Sequence, residues 1–196
     1  MATGGGYKSD FVVQQVIGCH ESLKRLYPHA ANSFRIITYL WRGKIYHMPI
    51  DLKVGSGGNY LDNAHAGGMM VAVDDNGVIC SHAVTEFNKQ FDEHPDTHIP
   101  FVGYKIEHVS ELISTVKRFH ENIPQLGRIN WDATIDEEGN PVIIEANCIG
   151  GSIWHSEMTH GVGAFGDRTA EVLRWLRFMK KLKPHDRGRF ANGRIE

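Results

Sequence analysis

Asp132, Glu145 and Asn147 are the residues whose types and spacing point most directly to chemistry. They lie in the stretch Arg128–Gly151, around which the rest of the chain is organised. Before its turn, Ile129, Trp131, Ala133 and Ile135 alternate with Arg128, Asn130, Asp132 and Thr134, the period of a half-buried strand. Asp136 to Pro141 supplies turn residues. Beyond it, Val142, Ile144 and Ala146 alternate with Ile143, Glu145 and Asn147. If Asp136 and Pro141 close a four-residue loop, a common hairpin length, Asp132 falls opposite Glu145, with Asn147 further along the same face. Carboxylates directly across a ladder repel, so the arrangement calls for a cation. Two carboxylates and an amide carbonyl are hard oxygen donors, which suit magnesium shared with a phosphate. Alternation alone also fits a hairpin whose polar face meets water. Trp131, the isoleucine-rich second strand and the glycine-rich run Cys148 to Ser152 favour a buried hairpin ending in a functional loop.

The elements that must position these groups read as hairpins and two amphipathic helices. Phe11 to Ile17 reads as a buried strand, and Glu21 to Tyr27 as a short helix ended by Pro28. Phe34–Trp41 and Lys44–Lys53 flank Arg42-Gly43 as a β-hairpin. From Lys53 to Gly68 the chain forms a long polar, glycine-rich loop, and loops of that length are often functional. Met69–Val73 and Val78–Phe87 flank an Asp/Asn/Gly turn. Residues 88–107 read as irregular, with His94 and His98 as surface side chains. Ser110 is expected to cap a helix with Leu112, Ile113, Val116 and Phe119 on its apolar stripe. Thr169–Lys181 is a second such helix, with Val172, Leu173, Leu176 and Met179 inward. A mostly antiparallel sheet with flanking helices is an α+β fold. The expected organisation is a flexible tail over 1–10, one lobe over 11–182 and a basic tail over 183–196.

D-x12-E-x-N at the end of a hairpin resembles the magnesium-binding signature of the ATP-grasp superfamily. Asn32-Ser33-Phe34-Arg35-Ile36, Asp62-Asn63 and Gly67-Gly68 agree with it. They resemble the NTxRV, DN and GG blocks of the sugar-transfer-associated ATP-grasp proteins, relatives of the glutamate-ligase branch. The resemblance spans roughly residues 11–180 and implies the following. ATP and Mg2+ are the cofactors, with Asp132, Glu145 and Asn147 on the metal. Arg35, Lys53 and Asn63 serve the phosphoryl transfer, Lys53 standing where the family usually carries arginine and so lacking its bidentate fork. Gln14, Gln15, Val16 and Ile17 meet the adenine edge along a hinge strand, and Gly67 and Gly68 let backbone approach the nucleotide. The reaction implied is ATP-dependent carboxylate–amine ligation through an acylphosphate. Cys148 is expected to pack as a small residue under the glycine loop, and His155 and His160 to lie at the acceptor end. No lysine-bearing upstream lobe precedes Phe11, so the resemblance implies a C-terminal ATP-grasp lobe or a shortened homologue. Its partners are a nucleotide, a carboxylate and an amine, and an upstream lobe. The alternative is a non-catalytic nucleotide- or metal-binding fragment.

Composition bounds these readings. The chain has 196 residues, 41% apolar and 22% charged, ordinary for a globular protein. A formal charge of −2 argues against binding dominated by nucleic-acid phosphates. Three scattered cysteines without a CxxC fit a reducing compartment. The apolar runs are too short for a bilayer span, and MATGGGYKSD holds no signal-type apolar region. Cytoplasm is the expected location, with neither membrane nor nucleic acid as partner.

Overall fold

The computed structural model describes residues 15–64, 67–149 and 154–191, without the side chains at 155, 190 and 191. Its centre is an antiparallel eight-stranded sheet. Numbered along the chain, the strands are β1 (Phe34–Trp41), β2 (Lys44–His47), β3 (Ile50–Val54), β4 (Met69–Val73), β5 (Ala83–Val84), β6 (Gln90–Phe91), β7 (Arg128–Ile135) and β8 (Pro141–Asn147). Their order is β6-β5-β4-β3-β1-β7-β8, with β2 also paired to β1. The helices are α1 (Glu21–Leu26), α2 (Val109–Glu121), α3 (Trp154–His160), α4 (Thr169–Met179) and α5 (Pro184–Ala191), with a 3-10 turn at Gly166–Arg168. The fold is α+β, as expected. None of the described helices is long and apolar enough to cross a membrane.

Alternation along the central strands divides the sheet into two chemically different faces. Phe34, Ile36, Leu52, Val71, Ile129, Trp131 and Ala133 point to one side, where Leu23 and Leu26 of α1 and Leu112 and Val116 of α2 close the main core. Ile37, Tyr39 and Trp41 point to the other, where Val172 and Trp175 of α4 cover them. That second face also carries Arg35, Asp51, Lys53, Asn130 and Asp132, all buried except the partly buried Arg35.

One polar chain holds β1 and β7 in the main core. His120 Nε2 lies 2.8 Å from the Leu126 carbonyl, which can only accept, so that nitrogen carries the proton. Burial pushes the His120 pKa down and keeps the ring neutral. Its Nδ1 therefore accepts from the Thr38 hydroxyl at 2.7 Å, and that oxygen accepts from Trp131 Nε1 at 2.7 Å. The network is satisfied at every step, which suits a core that fixes strand register.

Several expected elements differ. Phe11–Gln14 lie outside the described residues; Gln15, Val16 and Ile17 belong to no strand, and Val16 is 93% exposed. The anticipated strand Lys44–Lys53 is two strands, broken at Met48-Pro49, where proline has no N–H for a ladder. Val78–Phe87 keeps only isolated bridges at Val78 and Ile79 and the two-residue β5. The α2 cap is His108 at φ +62°, not Ser110, whose hydroxyl instead bonds Glu111. Phe119 is 40% exposed. In α4, Trp175 turns inward where Leu173 was expected, and the basic tail contains α5. Cys148 is exposed rather than packed. His94 is fully buried: its Nε2 donates to the Gly55 carbonyl at 2.8 Å, and its ring stacks on Tyr27.

Candidate functional site

The site grows from one row of residues crossing four strands. Asp51 on β3 pairs with Arg35 on β1, Arg35 with Asp132 on β7, and Asp132 with Glu145 on β8. Directly paired residues share a face, so carboxylate, guanidinium, carboxylate and carboxylate follow one another across the sheet. Asn130 and Asn147 form the neighbouring pair.

How Glu145 reaches that face differs from the expectation. The turn closes tighter than a four-residue loop: Asp136 N–H donates to the Asn140 carbonyl, and Ile135 pairs with Pro141. Gly139 at φ +88° supplies the left-handed residue the turn needs. That register would pair Asp132 with Ile144. A bulge between Ala133↔Ile143 and Asp132↔Glu145 makes Ile144 the extra residue. Ile143 thus packs on the main core, while Glu145 and Asn147 turn to the charged face. Bulges re-aim side chains in this way.

Arg35 grips Asp132 with both prongs, Nε to Oδ1 at 2.6 Å and Nη2 to Oδ2 at 3.1 Å. Lys53 Nζ stands 3.4 Å from the same carboxylate and 4.0 Å from Asp62. The cation that the facing carboxylates call for is thus supplied at Asp132 by side chains. Glu145 is exposed and Asn147 half-buried.

The loop that leads from Val54 to Gly68 is tied to this cluster through Asp62, whose Oδ2 accepts from Ser33 N at 2.6 Å and Ser33 Oγ at 2.5 Å. Lys53 itself lies within β3, one residue before its end at Val54, rather than opening the loop. Asn63 is exposed, and its carbonyl accepts from Gly68 N–H. A Cβ on Gly68 would lie 2.2 Å from the Asp62 carbonyl oxygen. The close approach needing this glycine is therefore the loop's own backbone. Gly67, exposed at φ +90°, shapes the same turn. His65, Ala66, Gly150, Gly151 and Ser152 lie outside the described residues.

Asn32 is a structural hub. Its Nδ2 donates to the carbonyls of Leu23 and Tyr27 at 3.1 and 2.7 Å, and its Oδ1 accepts from Gly55 N–H at 3.2 Å. This fastens α1 and the loop to the start of β1. Asn130, which sequence reasoning passed over, is fully buried with both amide atoms unpartnered among the described residues. Its signal was present: it alternates with Asp132 and pairs with Asn147. An orphaned buried amide costs free energy unless something binds it.

Asp51 shapes the α3 side. Its Oδ1 accepts from Thr159 Oγ1 at 2.5 Å, and His160 Nε2, which donates to the Ile50 carbonyl at 2.8 Å, lies 3.8 Å from it. Burial raises the Asp51 pKa to about 7, opposed by the Thr159 hydrogen bond and the charge of Arg35. Burial likewise lowers that of His160, so a neutral ring anchors α3. The consequence for stability has a definite sign. The folded state keeps the Asp51 proton between about 3.8 and about 7 while the unfolded chain loses it, so this group makes stability fall as pH rises through that window. Asp51→Asn keeps an acceptor for Thr159 without the charge. Its denaturation midpoints are expected to gain on the parent's progressively from pH 4 to pH 7; a constant difference across that range would contradict the assignment.

A family model described as sugar-transfer associated ATP-grasp matches residues 1–172. No curated protein matches the chain.

Proposed function

Because the chain belongs to the sugar-transfer associated ATP-grasp family, we propose that its charged sheet face binds ATP with Mg2+ and serves an ATP-dependent carboxylate ligation. The observation that supports this most is the single cross-strand row Asp51, Arg35, Asp132, Glu145, flanked by Lys53. A sheet gains nothing in stability from concentrating partly buried charge in this way. The donor set fits the metal. Asp132 and Glu145 offer carboxylate oxygens from facing positions, and Asn147 an amide oxygen beside the orphaned amide of Asn130. Asp132, Glu145 and Asn147 would hold magnesium, which would supply positive charge against that developing during transfer.

In this reading Arg35 and Lys53 have two tasks. Without nucleotide they neutralise Asp132, as the 2.6 and 3.4 Å contacts allow. With nucleotide bound, Asp132 would serve the metal and Arg35 and Lys53 would serve the phosphates, for which the arginine fork suits two oxygens. Buried Lys53 lies in a water-poor setting that strengthens such contacts. Gln15, Val16 and Ile17 would offer backbone to the adenine, with Gln14. Asn63 and Gly67, both exposed, would lie along the phosphates, and Gly68 would keep the loop folded beneath them. The carboxylate substrate takes the phosphoryl group, and an amine then displaces phosphate, so no protein nucleophile is required.

Magnesium and ATP together are expected to raise the thermal midpoint more than the sum of their separate effects, since ligands that bind the folded state stabilise it. Asp132→Asn should abolish that excess. Equal Mg–ATP stabilisation of parent and variant would refute the site.

A further inference from the structure

A second cluster, on the opposite side of the sheet, is built from chemistry different from the nucleotide face. His20 precedes α1, Glu107 and His108 precede α2, and one ligand atom from each lies within 4.8 Å of the other two. His20 Nε2 is 3.6 Å from Glu107 Oε2, and the two imidazoles meet edge to face with centroids 5.1 Å apart. Tetrahedral zinc with bonds near 2.0–2.2 Å needs ligand atoms about 3.4 Å apart. The His20–Glu107 spacing is already there, and exposed His108 and Glu107 side chains can close the rest.

Three further observations show support behind these ligands. His20 Nδ1 lies 2.9 Å from Ser22 Oγ, and the Glu107 N–H donates to the same oxygen at 3.3 Å. Ser22, itself mostly buried, therefore orients both ligand-bearing residues. Nδ1 also accepts from the Ser22 N–H at 3.3 Å, so the ring proton lies on Nε2 toward Glu107, and a metal ion at Nε2 would require that proton to move to Nδ1. His20 is also pinned to β7 through its N–H on the Ile135 carbonyl at 2.8 Å. Finally, His108 holds φ +62°, an unfavourable region for a residue other than glycine or asparagine. Its ring lies against Gly139, where any Cβ would come within 2.8 Å of Nε2.

We propose that His20, Glu107 and His108 form a binding site for a divalent transition ion of the zinc class, joining the segment before α1, the segment before α2 and the β7–β8 turn. Two imidazoles and one carboxylate select zinc-like ions over magnesium, which prefers oxygen alone. The remaining coordination position falls to water. The site stands apart from the Asp132 row and does not depend on the ligase reading.

The test is a zinc titration of metal-stripped protein in competition with a chromophoric chelator, with thermal midpoints measured in parallel. One zinc per chain is expected, bound with a Kd of about one micromolar or tighter, with a rise in midpoint. Glu107→Gln and His108→Asn should each weaken binding more than about tenfold, the loss that even a supporting residue produces. Asparagine tolerates the left-handed backbone, so His108→Asn should fold and keep the parent's midpoint in chelator. Ser22→Ala should weaken binding less than either, and Asp132→Asn should leave it unchanged. No zinc binding by the parent would overturn the proposal. So would undiminished binding in both Glu107→Gln and His108→Asn, or binding lost in Asp132→Asn instead.

Discussion

Asn32→Ala is expected to lower the unfolding free energy by about 3–4 kcal/mol. The replacement strips the side-chain partners of the Tyr27 carbonyl and the Gly55 N–H and removes one of two donors from the Leu23 carbonyl, which keeps the Tyr27 N–H; each buried unsatisfied group costs about 1–3 kcal/mol. It also leaves alanine at φ +46°, a left-handed backbone that asparagine tolerates through its local side-chain hydrogen bonds and alanine does not. Asn32→Gly separates the contributions, since it loses the same hydrogen bonds without the backbone penalty. Urea denaturation should rank parent above glycine above alanine. An alanine variant within about 1 kcal/mol of the parent, the typical effect of an ordinary substitution, would show that the hub does not hold α1 and the loop.

Arg35→Met is expected to cost about 3 kcal/mol, near the lower end of the range for removing one partner of a buried ion pair. Asp132 is 7% exposed and would keep only Lys53 at 3.4 Å, which offsets part of the loss. Adding Asp132→Asn to Arg35→Met removes the stranded charge, so the double variant should regain much of the stability. A double-mutant cycle measures that coupling directly. The same variants probe the nucleotide face. With Arg35 gone, Asp132 no longer has its bidentate partner, so Mg2+ alone should stabilise Arg35→Met more than it does the parent. Additive single-variant effects would mean that the two side chains touch without holding each other.

The pairing of Asp132 with Glu145 was legible in the sequence, although two departures cancel behind it. The turn is one residue tighter than assumed, and the bulge at Ile144 restores the offset. Alternation alone put Ile143 beside Glu145, because a run of apolar residues carries no mark of where a strand skips a residue. Strand boundaries failed where β-propensity met a missing donor, as at Pro49, or where pairing partners lay far away in sequence, as for Val78 with Lys105. The burial of His94 was hidden for a related reason. Its partners Gly55 and Tyr27 come from distant segments, and nothing local distinguishes such a histidine from one on the surface. Asn130 was visible as a polar position on the right face, but its orphaned state depends on packing that only the tertiary structure supplies.

The extra residue at Ile144 also sets a problem for the chain as it folds. A hairpin zipping from Asp136 and Asn140 without skipping a residue would pair Trp131 with Glu145 and turn that carboxylate toward the helices. The slipped ladder satisfies backbone hydrogen bonds as well as the native one does, and valine and isoleucine on β8 tolerate either face. What separates the two is charge, since an ionised carboxylate driven into an apolar core without a partner costs several kcal/mol. Glu145 therefore acts as the register's proofreader, and Glu145→Leu would remove the penalty that rejects the misaligned hairpin during folding.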